Sequence, residues 1–129
     1  MAYAIQQAVI DFHTKFGHPV RHTPQTITEG EAVQAFGFIE EELNELWDDG
    51  LLHGDYGTRE YSPNVVEIAD ALGDIVVTAY GMAIRHGIDL DVVLREIMES
   101  NMTKTANGLG KIQKGPEYRA PDIARVLAA

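Results

Sequence analysis

The chain has 129 residues, a length that fits one domain with its own hydrophobic core. It contains no cysteine, which excludes disulfides, thiolate metal sites and a cysteine nucleophile, and fits a reducing compartment such as the cytoplasm. The net charge of −10 repels a nucleic-acid backbone, so a nucleic-acid polymer is not expected as a partner. Polar residues interrupt positions 1–16, so no signal peptide is expected.

Two helices are predicted in the first part of the chain. Apolar residues at helical spacing predict a helix over residues 3–16 that stops at Gly17. Thr28 and Glu31 form a capping box, which predicts a second helix from there to about Trp47 or beyond. Residues 40–45 of that helix, EEELNE, carry four acids without a base one turn later. Alone, such a run is more often a solvated face than a site.

A third helix, predicted over residues 65–84 with Ser62 and Pro63 at its start, is apolar except for three acids. Glu67, Asp70 and Asp74 are spaced one turn apart and share one face. Because burying unpaired carboxylates is costly, this face either lines a wet groove or binds a cation. The same acids argue against a membrane span, so no membrane partner is expected.

A fourth helix is predicted after Asp89, with Glu96 and Glu99 on an exposed face. Residues 100–129 are rich in Gly, Lys and Pro, and we interpret them as an arm of the same domain, which spans residues 1–129. Residues 101–129 carry five bases and two acids, which gives the arm a charge of +3 and the remainder −13. The predicted class is all-α, with a four-helix core.

The two acidic helices, packed antiparallel, would bring five or six carboxylates together. An all-oxygen site of this kind suits Mg²⁺, with Mn²⁺ as the alternative. Carboxylate-bridged di-iron sites use Glu-x-x-His, and none of these acids has a histidine three residues later. Since Mg²⁺ leaves positions for water and phosphate oxygens, phosphoryl chemistry is the natural hypothesis.

The pattern Glu41-Glu42-x-x-Glu45, then 21 residues, then Glu67-x-x-Asp70 resembles the EExxE...ExxD signature of the MazG-like all-α nucleoside triphosphate pyrophosphohydrolases. The resemblance covers roughly residues 28–105 and includes the stretch IVVTAYGMAIRHGIDLD that follows the motif. It implies Mg²⁺-dependent hydrolysis of a nucleoside triphosphate, with a dNTP as the expected substrate, to the monophosphate and pyrophosphate.

The resemblance also implies roles for individual residues. Glu42, Glu45, Glu67 and Asp70 would bind the metal, and Glu41 would orient or deprotonate water, although Glu42 could exchange roles with it. Asp74 would be an extra ligand or contact the sugar. Asn101, Lys104, Lys111 and Lys114 would bind the nucleotide or its phosphates, and for these four a solvated tail is an equal alternative.

Three further expectations concern partners and alternatives. The family forms dimers or dimers of dimers, so a homodimer or homotetramer, intertwined in either case, is implied. Ala71-Leu72-Gly73-Asp74 replaces the Leu-Tyr-His pattern of the phosphoribosyl-ATP branch, which disfavours that substrate. Trp47 and Phe12 could stack on a base, although such aromatics more often lie in a core or interface. The rival hypothesis is a non-catalytic helical module that binds metal or nucleotide as an oligomer or sensor.

Overall fold

The structure is a computed structural model that describes residues 4–54 and 59–129. Its main elements are five helices: α1 (Ile5–Phe16), α2 (Glu29–Glu45), α3 (Val65–Arg85), α4 (Leu90–Asn101) and α5 (Ile123–Ala128). Within those ranges the strands are two residues long, so the predicted all-α class is confirmed. Residues 55–58 of the predicted connection between the acidic helices, and residue 3 of the predicted first helix, lie outside the described residues.

Local sequence signals explain most helix ends. Gly17 ends α1 with φ +70°, a left-handed conformation that glycine adopts without strain. The Thr28 hydroxyl accepts a hydrogen bond from the Glu31 amide at the start of α2, as the capping box predicts. Asp89 caps α4 in the same way, by accepting from the amides of Asp91 and Val92.

The start of α3 differs from the prediction. Asn64 is the N-cap, because its side-chain oxygen accepts hydrogen bonds from the amides of Val66 and Glu67. The predicted cap, Ser62, instead donates its amide to the carbonyl of Leu51. That bond extends a short hairpin, so the chain cannot begin the helix at Ser62.

A π-helical segment, Leu46–Leu51, directly follows the acidic end of α2. The hairpin after it pairs strand β1 (Leu52–His53) with strand β2 (Glu60–Tyr61) in antiparallel register. The Asn64 amide donates to the carbonyl of Gly50, which joins the end of this segment to the start of α3. The connection therefore reverses the chain tightly and sends α3 back along α2.

Contacts at both ends of α2 and α3 show that the two helices are antiparallel. At one end, a Cβ on Gly50 would lie 3.1 Å from Ile68 Cγ1, so the absent side chain allows close approach. At the other end, Arg85 Nη1 lies 3.5 Å from Glu31 Oε1. The predicted antiparallel packing of the acidic helices is therefore confirmed.

The core lies where α1 crosses the C-terminal half of α3. Val9, Tyr80 and Ile84 form its buried cluster, against which Val20 and Leu90 pack. The Tyr80 hydroxyl donates to Asp91 Oδ1 at 2.6 Å, which ties α3 to α4. This packing fixes the rotation of α3 about its axis, and with it the direction in which the acidic face points.

The C-terminal arm is attached to α4 through Glu96, which is 3% exposed and accepts hydrogen bonds from Arg119 and Arg125. The prediction that Glu96 lies on an exposed face is therefore wrong, because bases from the arm cover it. The Ser100 hydroxyl donates to the carbonyl of Arg119. Strands β3 (Thr105–Ala106) and β4 (Ile112–Gln113) pair as a hairpin within the arm, and α5 ends the chain.

Candidate active site

Three carboxylates converge between the C-terminal end of α2 and the middle of α3. One oxygen from each of Glu42, Glu45 and Asp74 lies within 4.8 Å of the others. Glu42 and Glu45 are three residues apart on α2, so they share a face, and the antiparallel packing places Asp74 opposite them. We call these three residues the carboxylate cluster.

Glu42 is the most perturbed member of the carboxylate cluster. Burial raises its pKa, and a hydrogen bond with Glu45 together with the negative charges of Glu45, Asp74 and Glu41 raises it further, to about 7. Its Oε2 atom is buried and lacks a hydrogen-bond partner among the described residues. A buried carboxylate oxygen without a partner is costly, so the cluster needs either a proton or a cation.

The donor set fits a divalent metal ion. All three groups offer carboxylate oxygens, which are the ligands preferred by hard cations such as Mg²⁺ and Mn²⁺. A cation bound among them would satisfy the orphaned Glu42 oxygen and offset the repulsion that raises its pKa. Asp74 belongs to this cluster, although it lies outside the short sequence motif.

The other predicted metal ligands lie nearer the N-terminus of α3 than Asp74 does. Glu67 and Asp70 are exposed on the N-terminal half of that helix and are not members of the carboxylate cluster. Asp70 is one helical turn, or about 6 Å of rise, before Asp74, and Glu67 is a further turn away. Their role as metal ligands stays a prediction, as does that of Glu41 in activating water.

A cavity of about 250 Å³ opens beside the carboxylate cluster. Its wall is apolar on most sides and includes the rings of Phe12 and Phe38. Glu41 and Glu42 form the acidic side, so the cavity and the carboxylate cluster share Glu42. The described chain therefore offers an oxygen-rich end and an apolar end to a single ligand.

The predicted phosphate-binding residues belong to the arm, and their contacts stay there or on α4. The side-chain amide of Asn101 donates to Met98 Sδ, and the backbone amide of Lys104 donates to the carbonyl of Asn101. Lys114 Nζ lies 5.1 Å from the centre of the Tyr118 ring, and the amide of Lys111 donates to Asn107. Their binding of a nucleotide stays a prediction.

The comparison with protein families decides the class of this chain. A family model described as phosphoribosyl-ATP pyrophosphohydrolase matches residues 9–101, which is more than half of the chain. The chain belongs to this family. The family is part of the MazG-like all-α superfamily, so the resemblance found in the sequence is confirmed. No curated protein sequence matches the chain.

Membership fixes the reaction class. Proteins of this family are metal-dependent pyrophosphohydrolases that act on a nucleotide phosphoanhydride, and this chain is accordingly a hydrolase of that kind. The carboxylate cluster offers oxygen ligands of the type that hard metal ions select. Among the described residues, no helix combines the length and hydrophobicity needed to cross a bilayer.

Sequence reasoning missed the polar groups on the far wall of the cavity. His13 and Arg85 line it, and both are buried, at 5% and 3% exposed. Arg85 shares Glu31 with Arg21, whose guanidinium binds both oxygens of that carboxylate. A signal was present in α1, because His13 lies four residues after the core residue Val9 and so shares its buried face.

Proposed function

We propose that this protein hydrolyses a deoxynucleoside triphosphate to the monophosphate and pyrophosphate in the presence of Mg²⁺, in control of the nucleotide pool. The observation that carries this proposal is the carboxylate cluster with its buried, unpartnered Glu42 oxygen. If the cluster had only a structural role, nothing would offset the free-energy cost of burying this oxygen without a hydrogen bond. Mn²⁺ would serve as an alternative ion, because it selects the same oxygen ligands.

The residues of the chain would divide the reaction between them. Glu42, Glu45 and Asp74 would hold the ion, with Glu67 and Asp70 added from the exposed end of the acidic face. Mg²⁺ bound there would neutralise charge on the phosphates of the substrate. Glu41, which borders the cavity beside Glu42, would take a proton from the attacking water, or Glu42 would do so in its place. The water oxygen would bond to the α-phosphorus, and pyrophosphate would leave with the bridging oxygen.

The substrate proposal rests on the residues after Asp70. Ala71, Leu72 and Gly73 stand where the phosphoribosyl-ATP branch has a Leu-Tyr-His pattern, and this difference favours a dNTP as the substrate. Phosphoribosyl-ATP is the second candidate, because the matching family model is the one named after that substrate. Both substrates contain a phosphoanhydride that can be cleaved to release pyrophosphate, so the carboxylate cluster serves either.

Product analysis in ¹⁸O-labelled water tests the proposal. The purified protein is incubated with Mg²⁺ and each dNTP, each NTP or phosphoribosyl-ATP, and the products are resolved by mass spectrometry. We expect equal amounts of monophosphate and unlabelled pyrophosphate, with one ¹⁸O atom in the monophosphate. Diphosphate plus phosphate, or label in the pyrophosphate, would refute attack at the α-phosphorus. Tight binding without turnover of any nucleotide would instead support the sensor hypothesis.

We also propose that two or more copies associate through exposed apolar residues of α2 and α3. The large apolar side chains that these helices expose outside the cavity include Val33, Phe36, Leu43, Val65, Val66, Leu72 and Val76. Val66 is 72% exposed and Phe36 is 57% exposed, values typical of a surface that a partner covers. We call these seven residues the apolar surface. A homodimer or homotetramer would bury it.

A further inference from the structure

The cavity beside the carboxylate cluster has the character of a site for a flat, largely apolar group. The rings of Phe12 and Phe38 line it, along with Val77 and Met82. The lining is mostly apolar with a few polar side chains, which is typical of small-molecule sites. A ligand whose phosphates lie at Glu41 and Glu42 would reach this cavity with its other end.

His13 provides a hydrogen-bond acceptor in the wall of this cavity. Its Nδ1 lies 2.9 Å from the carbonyl oxygen of Pro19, and because a carbonyl oxygen only accepts, Nδ1 carries the hydrogen. Burial lowers the pKa of the ring, and the nearby charges of Arg85 and His18 lower it further, so the imidazole is neutral near pH 7. In a neutral imidazole with hydrogen on Nδ1, Nε2 has a free lone pair.

The Nε2 atom is free to meet a ligand. Among the described residues it makes no hydrogen bond. A Cβ placed on Gly81 would lie 3.1 Å from it, so the absent side chain keeps the space beside Nε2 open. His13 and Gly81 both line the cavity. The acceptor is therefore built into the wall, held in its tautomer by Pro19 and kept accessible by a glycine.

We propose that this cavity binds the base of the nucleotide and that His13 Nε2 accepts a hydrogen bond from an N–H group on the edge of that base. The inference rests on the proposed function, since it places the base of the same substrate. It makes His13 a residue that orients the base. A base that covers Nε2 without offering it a donor leaves the acceptor unpaired, which is costly, so bases without an edge donor bind more weakly.

A binding cycle tests the inference without turnover. Dissociation constants are measured by calorimetry with Mg²⁺ and α,β-methylene triphosphates, which cannot be cleaved between the α and β phosphates. The tightest of the four natural deoxynucleotides is compared with an analogue that lacks its edge donor. These analogues are unsubstituted purine for adenine, 2-pyrimidinone for cytosine, N1-methylhypoxanthine for guanine and N3-methylthymine for thymine.

In the wild type we expect the analogue to bind roughly tenfold more weakly, the effect of one lost hydrogen bond. In His13→Phe, which keeps a ring but has no acceptor, the two ligands should bind within about twofold of each other. His22→Phe is the matched control, because His22 lies outside this cavity and should retain the wild-type ratio. Circular dichroism confirms that each variant is folded.

A second variant keeps the test valid if His13→Phe does not fold. Gly81→Ala leaves His13 and its bond to Pro19 in place but crowds Nε2, so it too should reduce the ratio. Equal ratios in the wild type and in either folded variant would overturn the inference, as would binding of nucleotides with no preference for the natural base. Absent hydrolysis with an intact binding cycle would remove the proposed function alone.

Discussion

At the scale of single residues, Glu42 is the group on which the proposed metal site depends. It combines burial, a hydrogen bond to another acid and three neighbouring negative charges, and these together raise its pKa to about 7. A side chain that served only solubility would be exposed and unperturbed. Burial and charge repulsion at Glu42 destabilise the metal-free protein. A bound cation would offset this repulsion, and its binding free energy would be more favourable for that reason.

Glu42→Gln tests this unfavourable burial of charge through the pH dependence of the free energy of unfolding, measured without metal. The folded protein holds a proton on Glu42 between the unfolded pKa of 4.5 and the folded value of about 7, so its free energy of unfolding falls as pH rises through that range. The variant lacks this effect, and at pH 8 in EDTA it should be more stable than the wild type by on the order of 2 kcal/mol.

Chemical denaturation at pH 5 and pH 8 measures the effect, with Glu40→Gln as the control on the same helix. Glu40 is exposed and outside the carboxylate cluster, so its variant should follow the wild-type curve. If the free energies of unfolding of the wild type and Glu42→Gln change with pH in parallel, the pKa of Glu42 is not raised in the folded protein.

The acidic residues could be predicted from sequence, but the burial of the Glu42 Oε2 atom could not. The spacing of Glu41, Glu42 and Glu45 shows that they share parts of one helix face, and only together with the acids of the third helix does it predict a cation site. Which oxygen is orphaned depends on how far α2 and α3 rotate toward each other, and long-range packing sets that rotation. The same packing brings Asp74 into the cluster. It also buries His13, which is 5% exposed.

At the scale of elements, the ends and attachments of the helices differ most from the sequence prediction. Periodicity and capping residues gave the end of α1 and the start of α4, because those signals are local. The cap at Asn64 was missed because a hairpin bond holds Ser62. Glu96 was misplaced because its partners, Arg119 and Arg125, follow it by more than twenty residues.

Glu96→Gln should release the arm from α4. Glutamine keeps the size but loses the charge that binds two guanidinium groups, and hydrogen bonds to charged groups are the stronger ones. We expect trypsin to cut after Arg119 several-fold faster than in the wild type, as followed by mass spectrometry. Glu99→Gln is the control, because Glu99 is exposed and its distance of 4.0 Å from Arg119 Nη2 makes a weaker ion pair than those of Glu96. Equal cutting rates in Glu96→Gln and the wild type would mean that other contacts hold the arm.

At the scale of the whole molecule, the apolar surface is the feature that a single chain does not explain. The sequence predicts an apolar stripe on α2 and a buried, mostly apolar α3, but the structure leaves large apolar side chains of both helices exposed. The C-terminal half of α3 packs on α1 through Tyr80 and Ile84. The N-terminal half exposes Val65, Val66 and Leu72, which fits the proposed association of copies.

Phe36→Glu should weaken that association. Burying a phenylalanine contributes about 1.5–3 kcal/mol, so replacing it with a charge should raise the dissociation constant by roughly tenfold to a hundredfold. Light scattering coupled to size exclusion measures the mass across a dilution series. Tyr61→Glu is the control, since Tyr61 is 73% exposed on β2 but outside the apolar surface. A wild type that is monomeric at every concentration would refute the proposed interface.

The central claim is that Glu42, Glu45 and Asp74 hold the divalent ion that the hydrolysis requires. Asp74→Asn tests it most directly, because Asp74 was brought into the cluster by the fold and lies outside the short motif. Mn²⁺ binding is followed by electron paramagnetic resonance, and pyrophosphate release is measured on the same samples with Mg²⁺ and the best nucleotide. Asp74→Asn should lose roughly tenfold or more in both, while Glu40→Gln retains both. Unchanged Mn²⁺ affinity and unchanged pyrophosphate release in Asp74→Asn would contradict the claim.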